Sequence, residues 1–118
     1  MKLIVAGGRD FHNMEYMVMC LYNLVNKGDI PDNPQLVCGM ARGADMVAYA
    51  LWKQSLMTVH AFPANWDKHG RSAGYIRNAN MGDFADALVA FWDGQSKGTK
   101  HMIDYMNKLG KPVYVFKY

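Results

Sequence analysis

Two glycines on either side of an arginine, followed by an aspartate, form the segment of this chain most suited to binding chemistry. These residues are Gly39, Arg42, Gly43 and Asp45, and they follow the apolar end of a predicted strand. A glycine turn that opens a helix leaves backbone N–H groups free where the helix dipole favours negative charge. Arg42 can also bind a phosphate through two hydrogen bonds. The segment therefore predicts an anion site.

Asp45 has two interpretations at this position. A carboxylate in the first turn of a helix is stabilised by the dipole and needs no ligand to explain it. The alternative is a binding role, in which Asp45 accepts a hydrogen bond from a ribose hydroxyl or from Arg42.

Two further segments have the same character and follow strands near the two ends of the chain. The first contains Gly7, Gly8 and Arg9, and its ordinary interpretation is a tight turn with a solvated arginine. The second spans residues 93–99 and is rich in small, hydroxyl-bearing and charged residues, namely Asp93, Gly94, Ser96, Lys97, Gly98 and Thr99. Ser96 or Thr99 can simply cap the next helix. Asp93 is well placed for acid–base chemistry or a ribose contact.

An aromatic ring lies in the third loop region, where Trp66 and Asp67 belong to the segment 63–70. Trp66, like the later Tyr75, can stack on a base or can cover the core. Asp67 and His69 lie two residues apart, a spacing that suggests a metal, but the other histidines offer no partner at metal-ligand spacing, so we predict no metal site and no cofactor. The absence of G-x-G-x-x-G excludes the dinucleotide fingerprint.

Composition limits the class of protein. The chain has 118 residues and a net charge of +3, which fits a single domain and favours a small anionic ligand over nucleic acid. Two cysteines without paired spacing predict free thiols, as in a cytosolic protein. No apolar run is long enough for a signal peptide or a membrane span, so we expect a cytoplasmic protein without membrane contact.

The elements that must position these residues alternate between short β-rich runs and helical patterns. Strands are predicted over residues 3–6, 35–38, 57–62, 87–91 and 112–116. Helices are predicted between them, including residues 72–84 and 99–109, whereas 63–70 is predicted to be irregular. This pattern is typical of an α/β parallel sheet, whose ligands bind at the carboxyl edge of the strands.

Five blocks in order along the chain resemble the YspA/CpYpsA-related group of the SLOG superfamily; they are residues 7–11, 39–45, 63–70, 73–78 and 90–94 with 97–99. The resemblance implies a Rossmann-like sheet with a pocket for nucleotides or nucleotide-derived ligands. Members of this group also occur in bacteriophages, so a phage or prophage origin is expected.

The superfamily also includes the LOG phosphoribohydrolases, which cleave the N-glycosidic bond of nucleoside 5′-monophosphates. Residues 94–99 resemble their phosphate loop, and Arg77 resembles an arginine that an earlier helix supplies. The paired glutamates of those enzymes are missing, because Lys100 and His101 follow Thr99. Only Asp93, Asp45 or Asp67 could supply a carboxylate in their place. If this chain is an N-glycosidase, we expect Asp93 with Arg77 as the catalytic pair.

Together these observations predict one domain over residues 1–118, a Rossmann-like three-layer sandwich. We expect a five-stranded parallel sheet in the order 3-2-1-4-5 with helices on both faces. The expected function is to bind a nucleotide-derived small molecule, as a sensor or sequestering protein, with phosphates held by the amides of Gly8, Gly39, Gly43, Gly98 and Thr99. An N-glycosidase is the first alternative, and a single-stranded DNA module is the second. A homodimer is expected by resemblance.

Overall fold

Strands and helices follow one another along the whole chain in the computed structural model, which describes residues 1–118. The strands are β1 (Lys2–Gly7), β2 (Gln35–Cys38), β3 (Val59–Ala61), β4 (Ala87–Trp92) and β5 (Val113–Lys117). The helices are α1 (Met14–Asn26), α2 (Ala44–Gln54), α3 (Trp66–His69), α4 (Ala73–Phe84) and α5 (Lys97–Lys108), with a 3₁₀ turn over Gly70–Ser72.

The five strands form one parallel sheet in the order β3-β2-β1-β4-β5, which confirms the predicted fold class and strand order. β1 and β4 lie at the centre and pair from Leu3 with Ala87 to Gly7 with Phe91. Because side chains alternate along a strand, Leu3 packs into the core beneath α1 and α2, and Ile4 packs into the core beneath α4 and α5. Helices therefore cover both faces of the sheet.

Most element ends differ from the prediction by one residue, and three differences are larger; capping explains two of these. α5 begins at Lys97 rather than Thr99, because the Ser96 side chain accepts a hydrogen bond from the Thr99 amide at 3.3 Å and caps the helix. The segment predicted to be irregular contains the short helix α3, which Asn65 caps in the same way through the Lys68 amide. β3 has three residues, half of the predicted strand.

Two other expectations concern the chain as a whole. Cys20 and Cys38 are both buried and free, as the sequence predicts. None of the helices combines the length and the apolar character that a membrane span requires.

Gly8 is the point where three segments meet at the carboxyl edge of the sheet. Its carbonyl oxygen accepts hydrogen bonds from the Phe11 amide at 3.2 Å and from the Ala44 amide at 3.1 Å. Its own N–H donates to the carbonyl of Phe91 at 3.2 Å. The loop after β1 is thereby fixed to the start of α2 on one side and to β4 on the other.

Gly43 makes this close approach possible. Its φ of +86° with ψ of −131° is a conformation that only glycine adopts readily. A Cβ atom here would also overlap the carbonyl oxygen of Gly8 and the backbone of Arg9. The glycine therefore has a structural role in joining the two loops.

The substitution Gly43→Ala should lower the free energy of unfolding by about 3 kcal/mol or more, because strain and steric overlap add. Gly28→Ala is the matched control. Gly28 also has a positive φ, of +81°, but nothing lies within 4 Å of a Cβ atom there, so only about 1 kcal/mol should be lost. Urea unfolding measures the free energy of unfolding of both variants. Equal losses of stability would show that the close contact of Gly43 with Gly8 adds nothing to the cost of the substitution.

Candidate functional site

A cavity of about 500 Å³ opens at the carboxyl edge of the sheet, beside the ends of β1 and β4. Most of the residues predicted from the sequence line it. They are Gly7, Gly8, Arg9, Asp45, Trp66, Arg77, Asp93, Ser96, Gly98 and Thr99. The turns after β1 and β4 and the start of α2 thus contribute to one cavity.

Gly39 and Arg42 line a second recess, of about 340 Å³, instead of the main cavity. Arg9, Trp66 and Arg77 line both spaces, so the two share a wall. The four remaining predicted residues line neither space, and these are Gly43, Asp67, Gly94 and Lys97. Tertiary packing therefore divides the segment 39–45, which sequence reasoning treats as one site.

The start of α2, where the sequence predicts a phosphate-binding turn, makes one contact with another loop. The Ala44 amide donates to the Gly8 carbonyl. The carboxyl group of Asp45 adds negative charge at the same place. The Gly8 amide is also engaged, through its bond to Phe91, so it has no free N–H for a ligand. These contacts engage the amides of Gly8 and Ala44, whereas the amides of Gly43 and Asp45 have no acceptor within the protein.

The start of α5 is open. The amides of Lys97 and Gly98 have no acceptor within the protein, whereas the Thr99 amide, expected to hold phosphate, is used by the Ser96 cap. Gly98 lines the cavity, and nothing lies within 4 Å of a Cβ atom built on it. An anion can therefore approach the positive end of the α5 dipole here.

Arg77 and Asn78 connect the walls of the cavity. The Arg77 guanidinium donates to the Gly39 carbonyl and, through Nε, to Asn78 Oδ1 at 3.0 Å. Asn78 Nδ2 in turn donates to the Gly98 carbonyl and contacts His101 Nδ1, both at 3.2 Å. This network ties α4 to the loop after β2 and to the first turn of α5. Sequence reasoning missed Asn78, whose only signal is a polar residue at a buried helix position.

Asp93 is exposed and already engaged. Its Oδ1 accepts hydrogen bonds from the amides of Gln95 at 2.8 Å and Ser96 at 2.9 Å. These two bonds lower the pKa of Asp93, so its carboxylate stays ionised. The geometry gives Asp93 the role of stabilising the turn after β4, and an ionised group is a poor general acid.

Asp45 has the opposite environment. It is only 6% exposed, and burial raises its pKa from an ordinary 3.8 to about 6. The Ala41 amide, which donates to Oδ2 at 3.1 Å, and the charge of Arg77 oppose this shift. No ion pair joins Asp45 to Arg77 or to Arg42. Asp45 is thus a buried acid in the cavity wall with a perturbed pKa, a combination typical of functional sites.

Two aromatic side chains are present at the cavity and are not core residues. Trp66 is 52% exposed and Tyr75 is 46% exposed, and both line the cavity. The Trp66 ring packs beside Gly74, and the Tyr75 ring lies 4.5 Å from the His101 ring. No group of three potential ligand side chains lies close enough to hold a metal ion.

The fold and the cavity define a Rossmann-like α/β protein with a basic and aromatic cavity at the carboxyl edge of its sheet. The chain is 37% identical over 121 residues to the Gene 61 protein of Mycobacterium phage D29, covering 98% of this chain and 95% of that protein. It belongs to the family of that phage protein. No protein-family model matches the chain, and no solved structure matches it. Its place in the SLOG superfamily stays a prediction.

The substitution Asp45→Asn should stabilise the protein at neutral pH but not at pH 4. The folded state binds the Asp45 proton more tightly than the unfolded state, so wild-type stability falls as the pH rises from about 3.8 towards 6. Asn lacks this titration and can still accept from Ala41. At pH 7.5 we expect a gain of about 1 to 3 kcal/mol in the free energy of unfolding.

Urea unfolding of both proteins at pH 4 and pH 7.5 measures this difference. The comparison between variants removes the contributions of all other titrating groups. A stability difference that does not change with pH would contradict the buried, proton-binding environment of Asp45.

Proposed function

We propose that this protein binds a nucleotide or nucleotide-derived small molecule in the cavity, acting in the cytoplasm as a sensor or sequestering protein. The main support is the open start of α5, where Gly98 presents a free amide to a cavity that arginines also line. The resemblance to the SLOG superfamily points in the same direction.

The charges of the cavity suit a phosphate at this end. Arg9, Arg71 and Arg77 line the cavity and supply positive charge, and the Ser96 hydroxyl lies next to the free amides. Ser96 caps the helix and so keeps its first turn in place. A phosphate at α5 would meet backbone donors, the helix dipole and arginine charge together.

The size and the aromatic content of the cavity suit the rest of a nucleotide. A volume of about 500 Å³ lies within the usual range for small-molecule sites and favours such a ligand over a DNA strand. Trp66 and Tyr75 each leave about half of the side chain exposed, so either ring can stack on a base.

The substitution Gly98→Glu should abolish nucleotide binding without harming the fold. Position 98 has open space, and a glutamate in the first turn of α5 suits the helix dipole while repelling a phosphate. Gly98→Gln is the matched neutral control. Isothermal titration with nucleoside mono- and diphosphates should show that Gly98→Glu lowers the nucleotide affinity at least about tenfold and that Gly98→Gln changes it much less. Undiminished binding by the Glu variant would place the phosphate elsewhere.

The environment of Asp45 favours one second candidate function, hydrolysis of the N-glycosidic bond of a nucleoside 5′-monophosphate. A buried carboxyl group with a pKa of about 6 can exchange a proton near neutral pH, whereas Asp93 stays ionised. In this function Asp45, rather than Asp93, would act as the acid–base group beside Arg77.

Incubation with nucleoside 5′-monophosphates, followed by chromatography for free base, tests this alternative. If the protein is an N-glycosidase, Asp45→Asn should remove base release and Asp93→Asn should largely keep it. Loss in the Asp93 variant alone would return the acid–base role to Asp93, and intact nucleotide throughout would leave the binding function.

A further inference from the structure

One oxygen of a buried carboxylate is left open towards the cavity. Asp45 Oδ2 accepts from the Ala41 amide, but Oδ1 has no hydrogen-bond partner in the protein. Every side-chain oxygen or nitrogen that is fully shielded from solvent has a hydrogen-bond partner. Oδ1 has none, so it is not fully shielded. Since Asp45 is 6% exposed and lines the cavity, Oδ1 must face that space. A group bound in the cavity can therefore reach it.

The surrounding groups do not satisfy this oxygen. Arg77, from α4, directs its guanidinium to the Gly39 carbonyl and to Asn78 and makes no ion pair with Asp45. Cys38 uses its thiol to contact the Asp45 backbone carbonyl, not the carboxylate. Solvent in the cavity can reach this oxygen, so a ligand that fills the cavity and displaces that solvent must supply a donor in its place or leave the oxygen unpaired at a cost.

The chemistry of the missing donor follows from the negative charge of Asp45 and from the number of its oxygens that lack a partner. A phosphate next to Asp45 would be repelled, so the adjoining part of a nucleotide must be one of its uncharged groups, the ribose or the base. Only one oxygen is free, which suits a single O–H donor better than the paired N–H groups of a guanine edge, which would need both. The phosphate is accommodated separately, at the start of α5, where the amides of Lys97 and Gly98 are free.

We infer that Asp45 accepts a hydrogen bond from a ribose hydroxyl of the ligand, so that the site selects ribonucleotides over deoxyribonucleotides. This inference rests on the proposed function and identifies its ligand class. Asp45 acts here as a specificity residue, because a site built to bind a hydroxyl leaves its acceptor unpaired when the hydroxyl is missing.

Isothermal titration at pH 7.5 tests the inference with the four ribonucleoside 5′-monophosphates and their 2′-deoxy and 3′-deoxy counterparts. Wild-type protein should bind at least one ribonucleotide about tenfold or more tightly than one of its deoxy forms. Asp45→Asn and Asp45→Ala should reduce the ratio of ribonucleotide to deoxyribonucleotide affinity to about threefold or less, mainly by weakening the binding of the ribonucleotide. Circular dichroism checks that each variant is folded, and the Asn variant keeps an acceptor for Ala41.

The outcomes separate this inference from the function on which it rests. Binding with equal affinity for ribo and deoxy forms overturns the role of Asp45 but keeps nucleotide binding. A ribose preference that survives in Asp45→Asn assigns the selection to another residue and also overturns it. If no member of the panel binds to wild-type protein, the proposed function fails and the inference fails with it.

Discussion

The double hydrogen bond accepted by the Gly8 carbonyl is the contact on which the site depends. It holds the loop after β1 against the first turn of α2, and the Gly8 amide holds the same loop against β4. The approach is close enough that Gly43 can carry no side chain. Without this junction the cavity would lose the fixed relation between the loop after β1, the start of α2 and the end of β4.

The electrostatics of the cavity combine charges that the protein itself does not fully pair. Asp45 is buried without an ion pair, and burial also lowers the pKa of the nearby Arg77. Such groups reduce the stability of the unliganded protein, and a ligand that supplies their missing partners recovers it.

α4 has an unusual role for a helix that covers a sheet. Its buried face includes Met81 and Gly82, which pack on the sheet and on α5, but also the polar Asn78. With Arg77, this residue joins the loop after β2 to the start of α5. Polar residues at these positions bury less apolar surface than apolar residues would, but their hydrogen bonds fix the positions of the segments that they join. This suits a helix that lines a cavity.

The sequence alone determined the fold, because alternating apolar runs, turn residues and capping side chains such as Ser96 act locally. It also predicted that most of the candidate residues meet at one edge, where they line the cavity, since parallel strands end on one side of a sheet. Only the tertiary structure decided which amides of these turns stay free. Local spacing made residues 39–45 the stronger anion site, yet a long-range contact with Gly8 engages the Ala44 amide of that turn, while the amides of Lys97 and Gly98 have no acceptor at the start of α5. The buried state of Asp45 and the network of Asn78 likewise depend on residues far apart in the chain, which no local pattern records.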